Sequence, residues 1–97
     1  MDLQLKSKRA LVSGSHRGTG RAIAHALARE GAHVLVHGFE LDAAEAVAAE
    51  IRKKGFAASA VAGDIMTDKG AAGVVEAAGD IDILINNYGT ADPGSWE

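Results

Sequence analysis

Ser13-Gly14-Ser15-His16-Arg17-Gly18-Thr19-Gly20 stands between an apolar run at residues 9–13 and a stretch of helical spacing that begins at about Thr19. The first N–H groups of a helix lack intrahelical partners and carry the positive end of its dipole, so an anion binds there well. Glycine serves where the chain must turn tightly and where a side chain would block a phosphate. Gly14 is placed to turn the chain out of the strand, Gly18 to bring the backbone up to a ligand, and Gly20 to let the helix pack close to the sheet. The spacing is G-x-x-x-G-x-G rather than G-x-G-x-x-G. No Gly-Lys-Ser/Thr follows, which excludes a P-loop. His16, not a serine, is the middle residue between Gly14 and Gly18, which excludes a nucleophile elbow. Glycine-rich turns also join strands to helices that bind nothing, so the loop must be weighed with the rest of the chain.

Outward from the loop, two kinds of segment alternate. Strand-length apolar runs fall at residues 9–13, 33–37, 57–62 and 81–86. Helical spacing fills the gaps. The first helix, residues 19–30, carries Ile23 and Leu27 on one face and ends at Gly31, a residue suited to a C-cap. The second starts at Asp42, with Glu45 three residues on as a capping partner. Its stripe is Ala43, Val47 and Ile51, and Lys53, Lys54 and Gly55 suit its C-terminus. The third, residues 68–78, places Ala71, Val74, Val75 and Ala78 on one face, although Gly70 and Gly73 each cost about 1 kcal/mol against alanine in a helix. Val34-Leu35-Val36 and Ile83-Leu84-Ile85 are apolar without alternation, as in a parallel sheet covered on both faces. The order βαβαβαβ predicts a doubly wound α/β fold. An α+β domain with the same elements is the alternative that periodicity leaves open.

Composition narrows the function classes. The chain has 97 residues, room for one domain, and 47% are hydrophobic. With one tryptophan, one tyrosine and two phenylalanines, the core must be aliphatic. The net charge of −3 is scattered, without the basic face of a nucleic-acid binder. Absence of cysteine excludes disulfides and thiolate metal sites. No secretory h-region opens the chain, and no apolar run approaches the roughly 20 residues that span a membrane. The expectation is a soluble, cytoplasmic protein with neither membrane nor nucleic acid as partner.

The loop, Gly63-Asp64-Ile65 after the third strand and Asn86-Asn87-Tyr88-Gly89 after the fourth together resemble the short-chain dehydrogenase/reductase family. That family writes Thr-Gly-x-x-x-Gly-x-Gly, an adenine-binding aspartate and Asn-Asn-Ala-Gly in this order. The resemblance covers essentially the whole chain. It implies the N-terminal βαβαβαβ portion of a single Rossmann-type NAD(P)-binding domain, strand order 3-2-1-4, residues 1–97, with the catalytic half absent. It also implies hydride transfer between a nicotinamide and a small carbonyl or alcohol, in a homo-oligomer. By the same resemblance Gly14, Arg17, Gly18 and Thr19, with His16 beside them, serve the phosphates. Asp64 and Ile65 serve the adenine, and Asn87, Tyr88 and Gly89 the ribose nearest the nicotinamide. Ser13 for threonine keeps the hydroxyl. Thr19 replaces an aliphatic residue and Tyr88 a small alanine, so the cofactor wall is altered there.

Cofactor choice turns on the end of the second strand, Val36-His37-Gly38-Phe39-Glu40. NAD enzymes place an acid there for the ribose 2′-hydroxyl, whereas NADP enzymes supply a cation. The resemblance puts the acid's position at Gly38 and the cation's at Phe39, so neither is present. Arg17 is then the source of a 2′-phosphate contact, with His37 assisting, unless Arg17 is simply a solvated loop residue. The balance favours NADP over NAD. Glu40, two residues late, keeps NAD open.

Other chemically suggestive residues read as structural. His33 and His37 lie about 13 Å apart along a strand and cannot share a metal. His25 reads as a surface or satisfied histidine, and Asp80 and Asp82 as solvated turn residues. The family's catalytic tyrosine stands four residues before a lysine that lowers its pKa. The only tyrosine here, Tyr88, has Asp92 at that spacing. No catalytic residue is assigned, and the chain is expected to be an incomplete piece of a larger enzyme whose fourth strand forms an apolar edge. The rival function is a nucleotide-binding or interaction module without catalysis. A remnant with no function is the third possibility.

Overall fold

In the computed structural model, which describes residues 5–87, every second residue of the central strands belongs to a different core. Val34 and Val36 pack with Ala10, Val12, Ala24, Ala28, Ala44, Val47, Ala48 and Ile51 on one face. Leu35 packs with Leu11, Val61, Val74 and Ala78 on the other. Side chains alternate across a strand, so an unbroken apolar triplet requires cover on both faces. The helices supply that cover.

The strands are β1 (Arg9–Val12), β2 (His33–Gly38), β3 (Ala58–Ala62) and β4 (Ile83–Ile85). They alternate with α1 (Gly18–Arg29), α2 (Leu41–Lys53) and α3 (Asp68–Ala78). All pairings are parallel and the order is β3-β2-β1-β4. This is the predicted doubly wound arrangement, not the α+β alternative. Val12 sits beside Val36 on one side and Ile85 on the other, so the chain leaves β1 level with the end of β4 and two residues before the end of β2. Residues α1 and α2 bury against the first core, and α3 covers the second.

Details of the helices differ from the sequence expectations. The buried face of α1 is Gly20, Ala24 and Ala28, while Ile23 and Leu27 are only partly buried. Small residues allow the helix axis to come close to the sheet. In α2 the buried residues are Ala44, Val47, Ala48 and Ile51, and Ala43 is exposed. Asp42 and Glu45 form no capping box. The helix begins at Leu41 with Glu40 as N-cap, so Asp42 is already helical and acts through the dipole. Glu45 instead pairs with Arg52. In α3 Val75 is 60% exposed, and the buried pair is Val74 and Ala78. Gly70 is a requirement and not a cost: a Cβ there would overlap the Asp64 carbonyl oxygen.

Asp82 is also more than a solvated turn residue. Its carboxylate accepts from the Arg9 amide at 2.8 Å, and the Arg9 side chain donates to the carbonyls of Ala78 and Asp80. One arginine thereby closes the C-terminal end of α3 onto the start of β1. Among the described residues β4 forms a sheet edge, with Leu84 65% exposed. No helix among them is long and apolar enough to cross a membrane.

Candidate functional site

The loop from β1 to α1 opens at the C-terminal ends of the strands. There β2 and β4 diverge to either side of β1, the position where open α/β sheets bind ligands. Gly14 and Gly18 adopt φ of 63° and 61°, a region that side chains with a Cβ rarely enter. Gly20 is required by closeness. A Cβ there would lie 2.5 Å from the Gly14 carbonyl oxygen and 2.6 Å from Asn87 Nδ2. It therefore lets the helix start pack on its own loop and on the end of β4, more than on the sheet itself.

The N-terminus of α1 is open. Its N-cap is Arg17, whose side chain makes no capping hydrogen bond, and the first turn contains no acidic residue. Arg17, Gly18 and Thr19 are exposed. The arrangement presents backbone donors and an uncompensated positive dipole end to one crevice, which is the chemistry of an anion cradle. A pyrophosphate fits the donors that are present.

Two hydroxyls hold this loop, that of Ser13, which keeps the family's threonine hydroxyl, and that of Ser15, which sequence reasoning passed over. Ser13 Oγ donates to Asn86 Oδ1 at 3.2 Å and accepts from the Asn87 amide at 2.9 Å, binding the loop to the end of β4. Buried Ser15 donates to the Val12 carbonyl at 2.6 Å and accepts from the His37 amide at 2.9 Å, binding it to β2. A hydroxyl directly after the glycine that leaves a strand was the available signal.

His37 was expected to assist at a 2′-phosphate, and its placement contradicts that role. The residue is 1% exposed. Its Nδ1 receives the Gly14 N–H at 2.9 Å, and its Nε2 lies 2.8 Å from the Gly63 carbonyl. An amide can only donate and a carbonyl can only accept, so Nε2 carries the proton and Nδ1 does not. Burial holds the His37 pKa below its ordinary value, the Gly63 carbonyl works against that shift, and the charge of His16 adds to it.

Gly38 has its own steric reason. A Cβ there would meet His16 Cγ at 3.1 Å, so the imidazole of His16 packs over the position where the discriminating acid was sought. His16 Nδ1 is shielded from solvent and has no hydrogen-bond partner among the described residues. Phe39 is 51% exposed beside it. At the end of β3, Asp64 Oδ1 accepts from the Met66 amide at 2.9 Å, folding the carboxylate over its own turn. Ile65 is partly buried against the second core, and the neighbouring exposed apolar side chain is Met66. Asn87 faces Gly20, whereas Tyr88, Gly89 and Asp92 lie outside the described residues.

His33 and Glu50 titrate away from this loop and serve structure. His33 hydrogen-bonds Ser59 at 2.9 Å near the opposite end of the strands, and burial followed by the charge of Arg9 lowers its pKa. Glu50 bridges α1 and α2 through His25 at 3.1 Å and Arg21 at 2.9 Å. Burial would raise its pKa, but hydrogen bonds from His25 and Arg21 and their charges lower it on balance. No group of three His, Cys, Asp or Glu residues among those described has the geometry of a metal site.

Comparison with known proteins agrees with this geometry. The family model for short chain dehydrogenases matches residues 8–97. A sorbitol dehydrogenase of Cereibacter sphaeroides is 45% identical over 94 residues, covering 93% of this chain and 36% of that protein. A 7alpha-hydroxysteroid dehydrogenase of Clostridium sardiniense is 42% identical over 90 residues, covering 89% of this chain and 34% of its own length. Among solved structures, L-sorbose reductase from Gluconobacter frateurii, complexed with NADPH and L-sorbose, superposes with a TM-score of 0.87 at 37% identity. That match covers 95% of this chain and 37% of the reductase. The chain thus spans about a third of the length of the relatives it matches.

Proposed function

This chain belongs to the short-chain dehydrogenase family, and from that premise we propose that it carries the dinucleotide-binding part of an NAD(P)-dependent oxidoreductase acting on a small carbonyl or alcohol. The observation that carries the reading is the open N-terminus of α1, built from glycines at positive φ, without a cap or an acid, at the sheet's switch point. The nicotinamide supplies the hydride chemistry when bound. This chain's residues bind and orient it. The N–H groups at the start of α1 receive the pyrophosphate, Arg17 stands beside them as a cation, Asp64 and Met66 border the adenine side, and Asn87 borders the side towards β4. Proton transfer belongs, in this reading, to a Tyr-x-x-x-Lys pair that the sequence printed here does not contain.

NADP is the favoured form. No acid stands at Gly38 to repel a 2′-phosphate, and the His16 ring fills the space an acid would need. Arg17 is exposed and placed in the same loop. The test is calorimetric titration with NADP+ and NAD+. Tighter binding of NADP+, lost in an Arg17→Ala variant by about tenfold, is the expected result. Equal affinities would overturn the choice of NADP, and no binding of either would overturn the cofactor reading itself.

A further inference from the structure

We propose that His37 is a positioning residue whose neutral imidazole, wedged between Gly14 and Gly63, holds the glycine loop in its anion-binding shape and releases it on protonation. Four hydrogen bonds carry the wedge, three of them made by buried His37 and one by Ser15 behind it. Gly14 N–H donates to Nδ1 at 2.9 Å, Nε2–H donates to the Gly63 carbonyl at 2.8 Å, and the His37 amide donates to Ser15 Oγ at 2.9 Å. Ser15 in turn donates to the Val12 carbonyl at 2.6 Å. The ends of β1, β2 and β3 are thereby locked in one network. Gly14 is the residue that needs this support, since its φ of 63° starts the turn on which every later amide of the cradle depends.

A proton on Nδ1 would set two donors, Nδ1–H and Gly14 N–H, against each other at hydrogen-bond distance. The loop must then move or the proton must be refused. The surroundings favour refusal down to acid pH. Burial disfavours the imidazolium, and the titratable group facing the ring from the loop is His16, whose charge acts in the same direction. From β3 the ring meets the Gly63 carbonyl, which favours the cation, while the Asp64 carboxylate beyond it is turned to the Met66 amide. On its own strand the other titratable residue is His33, four positions away, and the first charged residue past the end of the strand is exposed Glu40. Because the native pKa lies below the ordinary 6.5, the unfolded or released state binds the proton more readily. The stabilisation is therefore complete above about pH 6.5 and is lost as pH falls through the native pKa.

Two substitutions separate the halves of the ring. His37→Asn keeps an acceptor where Nδ1 stands and cannot titrate, whereas His37→Gln keeps a donor where Nε2 stands and leaves Gly14 N–H without its acceptor. The primary measurement is the through-hydrogen-bond 15N–15N coupling between Gly14 N and His37 Nδ1, followed by NMR as pH is lowered. It should be present at neutral pH and vanish as His37 protonates. NADP+ affinity, which rests on the proposed cofactor function, is the second measurement. Wild-type affinity should fall in acid with a limiting slope of about tenfold per pH unit. The asparagine variant, which keeps the Gly14 bond and gives up the Gly63 bond, should lack that component of the fall, and the glutamine variant should bind about tenfold more weakly than wild type throughout. Absence of the coupling, or an asparagine variant with the wild-type acid profile, overturns the proposal. A coupling present in a protein that binds neither NADP+ nor NAD+ supports the wedge and overturns the cofactor reading instead.

Discussion

Two helices of this sheet begin in opposite ways. At α3, Thr67 Oγ1 accepts from the Gly70 amide at 2.9 Å, Asp68 stands in the first turn, and the Asp64 carbonyl presses on Gly70. At α1 there is no capping side chain and no acid in the first turn. Both helices follow a parallel strand through a short loop, and both carry glycines at the start. One spends a first-turn N–H group on a capping side chain; the other leaves its first N–H groups without a side-chain cap, facing the crevice. A helix start without a cap costs about 1 kcal/mol, and a fold that accepts that cost at the switch point has a ligand as the natural recipient. The glycines divide in the same sense. Gly70 is needed for packing, whereas Gly18, where a Cβ would meet nothing within 4 Å, is needed for its φ of 61°.

The largest effect expected from this contrast is at Gly70. Gly70→Ala drives a methyl group into the Asp64 carbonyl and displaces the Thr67 cap, for a loss of about 2–3 kcal/mol. Urea denaturation should show it as a lower midpoint with an unchanged slope. Cofactor affinity, measured under conditions where the variant is folded, should stay the same. A weakened affinity there would mean that the closed helix start also serves the ligand, and the comparison would break.

Thr19→Glu tests the open end. Thr19 is exposed in the first turn of α1, so the substitution adds an acid at the positive end of the dipole without a steric cost. Stability should hold or rise slightly, while NADP+ affinity falls by about tenfold or more from charge repulsion at the phosphates. Opposite signs in the two measurements would separate binding from folding. A parallel loss of both would show that α1 starts as it does for structural reasons.

How much of this contrast was visible in the sequence follows from its physics. Three glycines after a strand mark the cradle because backbone conformation is local, and the apolar triplets mark a sheet covered on both faces for the same reason. The fold was legible to that extent. Two other features required partners far along the chain. His37 looked like a phosphate contact because it stands at the end of β2, and only the juxtaposition with Gly14 and Gly63 turns its ring inward. Gly38 looked like a missing acid, and its closeness to His16 depends on how the loop folds back over β2. The stripe of α2 kept Val47 and Ile51 but took Ala44 and Ala48 in place of Ala43, because which of several adjacent alanines faces the sheet is decided by packing against distant strands.

Thr67→Ala should cost about 1 kcal/mol, the usual value of an N-cap hydroxyl, and should leave cofactor binding untouched. Thr67→Ser should restore the stability, since the cap needs only an oxygen acceptor. A loss with alanine that serine does not recover would assign the effect to the methyl group of Thr67 and remove capping from the account of α3.

The smallest effect distinguishes charge from hydrogen bonding at the closed end. Asp68 stands in the first turn of α3, and the capping bond to the Gly70 amide comes from Thr67, so Asp68 contributes through the dipole. Asp68→Asn should therefore lower stability by about 0.3–1 kcal/mol at low ionic strength. The difference should shrink as salt approaches 1 M, where the Debye length is about 3 Å. Thr67→Ala should show no such salt dependence, because a hydrogen bond between neutral groups is not screened by mobile ions. If the two variants respond to salt alike, the closed end of α3 is held by one undivided interaction. The missing acid at α1 would then no longer count as a separate sign that its first turn is kept for an anion.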